Sequence, residues 1–369
     1  MRTPSGFSIL GRDLGADHPP LIVAEMSGNH DGSLDKALAI VEAAAKSGAD
    51  ALKLQTYTAD TMTLNLTTDL FTISDPTSLW NGRTLFDLYQ EAHTPWEWHR
   101  PIFERCRELG LLAFSTPFDS TAVDFLESLN NPMYKIASFE NTDHALLRRV
   151  AGTGKPIIMS TGLATLGELE ESVEVLRTAG CQDLVLLKCT SAYPAPPTAI
   201  DLRAIKTMRE RLNVLTGLSD HTLGTAVSVA AIATGAVLIE KHFTIDRTAG
   251  GVDAAFSMEP SEMAALARDC RIAWQALGSA SLGRHQEEQG SMMFRRSLFI
   301  SQPVSAGDCL SVDNVRAIRP GYGLPPKHLD SVLGKSVCQD LPAGTPLSWE
   351  ILDMDSREDE GAKAGQFRT

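Results

Sequence analysis

Eight short apolar runs, each followed by an amphipathic segment, constrain this chain more than any other feature. They span residues 21–25, 51–55, 111–116, 134–138, 156–161, 184–190, 214–219 and 237–244. Runs that are apolar almost throughout belong to strands covered on both faces, as in a parallel sheet wrapped by helices. Eight of them predict a closed (β/α)8 barrel, the TIM-barrel architecture. An open doubly wound sheet is the alternative, but no G-x-G-x-x-G follows the first run. Gly48, Gly110, Gly180 and Gly235 each stand just before a strand, where a left-handed residue ends a helix. Thr165 and Glu168 have capping-box spacing, and Leu166, Leu169, Val173 and Leu176 recur at helical intervals behind them, so a helix is predicted over 165–179. Residues 57–94 exceed an ordinary βα connection and predict an excursion over the barrel mouth.

The pattern changes after the last barrel helix, expected at 261–277. A polar, Gly-bearing linker follows at 278–293, and residues 294–355 read as short strands separated by turn signals. About 60 residues form a marginal core alone, so this β-rich domain is expected to dock on a barrel. The division is therefore barrel 1–277, linker 278–293, small domain 294–355 and a charged tail at 356–369 expected to be disordered.

Charge and composition narrow the partners. Lys and Arg (33) against Asp and Glu (46) leave −13, which argues against an extended nucleic-acid footprint or a polybasic membrane patch. No apolar run approaches the roughly 20 residues of a membrane span, and the first residues do not resemble a signal peptide. A cytoplasmic protein is expected. The six cysteines show no C-x-x-C spacing, so buried free thiols are expected rather than disulfides or a zinc knuckle.

Polar residues cluster where each run ends: Glu25, Lys53 with Gln55, Ser115 with Thr116, Lys135 with Ser138, Ser160 with Thr161, Lys188 with Thr190, Ser219 with His221, and Glu240 with His242. In a barrel these ends form one rim, where active sites are built. Lysines and hydroxyls converging there suit the oxygens of phosphate and carboxylate groups, so a phosphorylated small molecule is the first expectation. His221 and His242 end neighbouring strands and are within reach of one divalent ion. Two ligands are too few for a closed structural zinc site but suit an open catalytic ion. Two histidines hydrogen-bonded within the rim are the plainer alternative. Glu25 is a candidate for positioning water or binding the ion, and the loop behind it brings Asn29 and His30 toward the same mouth. Glu140 is a second candidate acid or base. Either glutamate also fits a solvated loop position.

These residues belong to longer motifs: IVAEMSGNHDGS, ADALKLQTYTADTMTL, FDLYQEAHTPWEWH, FSTPFDSTAVDFLESL, YKIASFENTD, GKPIIMSTGLAT, LLKCTSAYPAP, GLSDHT, IEKHFT, RRSLF and IRPGYGL. In this order and over nearly the whole length, the chain resembles the sialic acid synthase family. The resemblance implies a (β/α)8 barrel followed by an antifreeze-like SAF domain of the β-clip type. It implies a transferase that joins phosphoenolpyruvate, an open-chain amino-sugar aldehyde and water, with release of phosphate. Carried over by position, the phosphoenolpyruvate contacts are Lys53, Thr116, Lys135, Ser138, Ser160 and Ser219. His221 and His242 would ligate a divalent metal ion (Mn2+, Mg2+ or Co2+), and Glu25 would handle the attacking water. Gln55, Glu140, Tyr193 and Asp253 would face the sugar. Family members are domain-swapped homodimers in which a SAF-domain arginine, here Arg319, closes the partner's site. Where N-acetylneuraminate-forming members carry Asn two residues before the sixth-strand Tyr, this chain has Ser191. That departure, with SFENTD and TPWEWH, favours the branch that uses a diacetamido-trideoxy-L-altrose, the legionaminate and N-acetylneuraminate precursors being its rivals. From other classes, a metal-dependent aldolase or hydrolase fits the same histidines, and a non-catalytic sugar-binding protein fits the SAF-like module.

Overall fold

The computed structural model describes residues 6–353, and the tail at 356–369 expected to be disordered lies outside the described residues. A short antiparallel hairpin, β1 (Phe7–Ile9) and β2 (Arg12–Leu14), comes first. Eight parallel strands then close into a barrel: β3 (Leu21–Glu25), β4 (Ala51–Thr56), β5 (Leu112–Pro117), β6 (Tyr134–Ile136), β7 (Ile157–Ser160), β8 (Leu184–Cys189), β9 (Leu215–Ser219) and β10 (Leu238–His242). Each strand pairs with the next in sequence, and β10 pairs with β3 to complete the ring. The expected barrel is therefore the observed one.

The helices are α1 (Leu34–Lys46), α2 (Ala59–Met62), α3 (Leu85–Ala92), α4 (Trp96–Glu108), α5 (Ser120–Ser128), α6 (His144–Ala151), α7 (Leu166–Thr178), α8 (Arg203–Leu212), α9 (Ala226–Ala233) and α10 (Pro260–Leu277). Thr165 caps α7 through the reciprocal box with Glu168, as its spacing predicts. Gly48, Gly110, Gly180 and Gly235 all carry positive φ, between 74° and 105°, so the chain reverses there without a Cβ clash.

Strand parity sorts the core into two layers. Ile22, Leu52, Ile136, Met159, Leu186, Leu218 and Ile239 pack outward against the helices. Val23, Ala51, Phe114, Ile158, Leu187 and Leu238 fill the barrel interior, and Ile9 and Leu14 of the hairpin join them at its N-terminal end. Because successive side chains alternate faces, the inward rows continue upward into the polar rim.

The chain divides into two compact units, Met1–Ser279 and Ala280–Thr369. In the second, β11 (Ser297–Ile300) pairs antiparallel with β12 (Val315–Ile318), and α11 (Leu329–Val332) follows. Leu298, Ile300, Val315, Val332, Val337 and Leu347 form its own core. Among the described residues no helix is long and apolar enough to cross a membrane. The cysteines form no disulfide. Cys106, Cys181, Cys189 and Cys270 are buried as expected, whereas Cys309 and Cys338, in the small second unit with little interior to offer, are exposed.

Candidate active site

A cavity of about 310 Å3 opens at the C-terminal end of the barrel. The inward rows of the strands end in it, so Glu25, Lys53, Gln55, Lys135, Ser160, Cys189, Ser219, Glu240 and His242 all point the same way. Connections just above the rim add Ser138, Glu140, Tyr193, His221 and Asp253 to its lining. Thr116 has the inward parity but stands behind the wall, with Lys53 Nζ 3.4 Å from its Oγ1. Arg319 is exposed on the second unit, after β12 and before Pro320.

Parity also removes residues from the rim. Lys188 points outward, and its ammonium donates to the Cys189 carbonyl at 3.0 Å. Ser115 lies outward against Thr56 Oγ1 at 2.6 Å. Asn29 and His30, expected at the mouth, instead hold the loop down. Asn29 Nδ2 donates to the Phe243 carbonyl and to Ser257 Oγ, and the buried His30 packs edge-on against Trp98. In each case a partner away from the cavity claims the polar group first, for His30 the Gly32 amide and the Thr94 hydroxyl.

At the floor the charges alternate. Lys53 Nζ lies 2.9 Å from Glu25 Oε2 and 3.5 Å from Glu240 Oε1, and Lys135 Nζ lies 3.3 Å from that same Glu240 oxygen. Ser219 Oγ donates to it at 3.0 Å. The lysines thus have internal counter-ions, and it is their placement at the cavity floor rather than unpaired charge that suits them to an anion. Burial alone would discharge Lys53, but the Glu240 and Glu25 carboxylates outweigh it and hold its pKa above the ordinary value. Burial wins at Lys135, whose pKa is lowered. Glu240 is buried too, yet the two ammonium groups hold it below the usual carboxylate range. Burial raises Glu25 against the pull of Lys53, with Glu240 adding to the rise. Gln55 Nε2 fixes the Glu25 carboxylate at 2.9 Å and reaches Ser27 Oγ at 3.0 Å, and Ser27 hydrogen-bonds to Asp253.

The two histidines approach each other, their ring centroids 5.4 Å apart, with Tyr193 4.5 Å from the His221 ring. His221 Nδ1 faces the Thr190 carbonyl at 3.0 Å, an arrangement that places its proton there and leaves Nε2 with a free lone pair. Cys189 Sγ lies 3.9 Å from the same Nδ1. His242 Nδ1 is buried without a hydrogen-bond partner. Burial and the neighbouring positive charges, His221 foremost, push its pKa well down, so the ring is neutral. Burial works against charge on His221 too, but its contacts with Cys189 and the Thr190 carbonyl outweigh it and raise its pKa, so His242 offers a neutral imidazole and His221 would give up a proton on binding a metal ion. No group of three or more His, Cys, Asp or Glu among the described residues is placed to hold one, so an ion held by these two histidines would take its other ligands from water or substrate.

Other orphaned atoms surround the cavity: Ser160 Oγ, Glu240 Oε2 and Glu140 Oε2 are buried without hydrogen-bond partners, the mark of a site that a ligand completes. Burial raises the Glu140 carboxyl to about 7, against the pull of Lys135. Ser138 Oγ accepts from the Gly162 amide at 3.1 Å, and Asn141 Nδ2 ties down the carbonyls of Ser160 and Gly162. Sequence reasoning placed Glu240 on the rim without giving it a role and left Cys189 out of the site, although its parity with Leu187 is the signal that finds it.

On the outer side of the barrel, Asp220 and Lys241 point away from the cavity and pair at 3.1 Å, fully buried. Lys241 Nζ also donates to the carbonyls of Thr222 and Gly224, and Asp220 accepts from Ser228 Oγ and the Thr222 amide. The loop that carries His221 is thereby tied to the strand that carries His242.

Comparison with known proteins places this geometry among relatives. Residues 40–281 match the NeuB family and residues 295–352 match the SAF domain. The chain is 42% identical to pseudaminic acid synthase of Campylobacter jejuni over 331 residues, 90% of this chain and 96% of the relative. It is 42% identical to pseudaminic acid synthase of Helicobacter pylori over 336 residues, 91% and 98% of the two. The crystal structure of N-acetylneuraminic acid synthetase from Leptospira borgpetersenii, in complex with citrate, superposes with a TM-score of 0.70 at 29% identity, covering 79% of this chain and 96% of that one.

Proposed function

This chain belongs to the NeuB family, and from that premise we propose that it is a pseudaminic acid synthase. It condenses phosphoenolpyruvate with open-chain 2,4-diacetamido-2,4,6-trideoxy-L-altrose and water, giving pseudaminic acid and phosphate. The observation that carries the reading is one cavity lined by Lys53, Lys135, Ser160 and Ser219 with His221 and His242 beside them. The pseudaminate relatives, and Ser191 two residues before Tyr193, favour this sugar over its legionaminate and N-acetylneuraminate counterparts.

Lys53 and Lys135, with the hydroxyls of Ser138, Ser160 and Ser219, bind the phosphate and carboxylate of phosphoenolpyruvate, and Thr116 steadies the Lys53 ammonium. Their work is positioning and charge compensation. His221 and His242 would hold a divalent ion (Mn2+, Mg2+ or Co2+), which when bound polarises the aldehyde. Gln55, Tyr193 and Asp253 orient the sugar so that its aldehyde carbon meets the methylene carbon of phosphoenolpyruvate, and a C–C bond forms. Glu140, protonated near neutrality, gives its proton to the former aldehyde oxygen. Water adds to the neighbouring cationic carbon and passes a proton to Glu25, whose raised pKa suits an acceptor. The tetrahedral intermediate then breaks its C–O bond and releases phosphate. The reading extends to a domain-swapped homodimer, with Arg319 closing the partner's site, working in the cytoplasm where phosphoenolpyruvate is made.

The test is phosphate release from phosphoenolpyruvate with a divalent ion, using the altrose sugar, its legionaminate counterpart and N-acetylmannosamine, with and without chelator. Chelator-sensitive release with the altrose sugar alone is expected. Preference for another sugar would reassign the substrate, and turnover that needs no phosphoenolpyruvate would point to an aldolase or hydrolase instead.

A further inference from the structure

The long excursion between β4 and α4 gives the cavity a wall unlike its floor. Met62, Ile73, Trp80, Leu85 and Tyr89 come from this segment and line the cavity beside Val252. Their hydrocarbon faces contrast with the lysines, carboxylates and hydroxyls at the strand ends. The hydroxyls of this wall are those of Tyr89 and of Tyr57, which packs edge-on against Tyr89 and Phe118, and Glu140 and Asp253 are the carboxyls of the lining outside the strands.

The wall is held in place rather than draped. The Ile73 amide donates to the Arg83 carbonyl at 2.9 Å and the Gly82 amide to the Ile73 carbonyl at 2.7 Å, which closes the loop that carries Trp80. Trp80 Nε1 donates to the Val252 carbonyl at 2.9 Å, fastening the excursion to the connection after β10. The Trp80 ring meets Tyr193 with centroids 6.0 Å apart, so the apolar wall adjoins the residue expected to face the sugar. An indole with its only polar atom already bonded offers a ligand carbon contacts alone.

Resting on the reaction proposed above, we infer that Ile73, Trp80 and Leu85 form the specificity wall of this site and select an aldose ending in a methyl group, with acylated amines, over one ending in a hydroxymethyl group. A methyl is desolvated at no polar cost against such a wall, whereas a hydroxyl loses water and gains no partner. Apolar pockets reject an added hydroxyl by about 10–100-fold, and that is the discrimination expected here.

The experiment compares the altrose sugar with the same diacetamido sugar bearing a 6-hydroxyl. Phosphate release gives the ratio of kcat/KM, and calorimetric titration of each sugar gives the ratio of affinities without turnover. Wild type is expected to favour the 6-deoxy sugar about 10–100-fold in both readouts. Ile73→Thr and Leu85→Asn, at different points of the wall, should each reduce that preference several-fold while leaving the KM for phosphoenolpyruvate unchanged. Phosphate release with equal use of both sugars, or a preference untouched by both variants, overturns the wall and leaves the reaction standing. Preferential binding of the 6-deoxy sugar with no phosphate release overturns the reaction and leaves the wall standing.

Discussion

Glu240 sets the charge balance of the site, since one of its oxygens faces both Lys53 and Lys135. Removing a single partner from a buried ionic cluster costs about 3–5 kcal/mol because the remaining charges lose their compensation. Glu240→Ala should therefore lower unfolding free energy by that order in denaturant melts, and Glu240→Gln by less, since an amide oxygen still accepts from Ser219. Glu140 behaves oppositely. Its folded pKa of about 7 stands above the ordinary 4.5, so its protonated form stabilises the fold fully below 4.5 and that contribution is lost as pH rises through 7. Relative to Glu140→Gln, wild type should lose about 2–3 kcal/mol between pH 4.5 and pH 7 and then level off. Melts of both proteins at pH 5 and pH 8 check this, and a parallel gap at the two values would refute it. Residue identity was legible from sequence wherever a polar side chain ended an apolar run, as at Lys53 and His242. What each side chain touches was not: Lys188 and Lys135 look alike in sequence, and only the register of β6 and β8 sends one outward and the other into the cavity.

At the scale of elements, the barrel was readable because both its signals are periodic. Alternation along β3 to β10 and the helical spacing in α7 each repeat long enough to be counted. The hairpin of β1 and β2 was missed for the same reason, since three-residue strands show too little alternation to register. The end of β6 was misplaced as well. Ser138 was expected at the end of the strand, but it opens a 3-10 turn over Ser138–Glu140, which lets its hydroxyl accept from the Gly162 amide. That contact makes Gly162 a structural part of the site. A Cβ there would collide with the Ser191 hydroxyl and come within 2.7 Å of Ser138 Oγ, and turning the Ser138 hydroxyl aside would break its bond from the Gly162 amide. Gly162→Ala is accordingly expected to raise the KM for phosphoenolpyruvate about tenfold, since small misplacements of positioning groups carry costs of that size or more. Steady-state kinetics with saturating sugar would show it, and an unchanged KM would mean that Ser138 does not contact this substrate.

For the whole molecule, the change of pattern near residue 278 signals two compact units, but no sequence feature says which barrel the second unit serves. That question has a kinetic answer. The reading above makes each site from the barrel of one subunit and Arg319 of the other, so His242→Ala and Arg319→Ala should each inactivate a homodimer, the second chiefly by weakening use of the sugar while phosphoenolpyruvate still binds. Mixing the two variants under conditions that exchange subunits creates heterodimers. In a swapped heterodimer, the intact barrel of the Arg319→Ala chain meets the intact small domain of the His242→Ala chain, and one of the two sites is whole. Random exchange then restores about a quarter of the wild-type rate, because half of the dimers are mixed and each has one good site. If each small domain serves its own barrel, every site in every dimer keeps one defect and mixing restores nothing. Phosphate release measured before and after exchange separates the two arrangements, with size-exclusion chromatography confirming that the mixed species remain dimers.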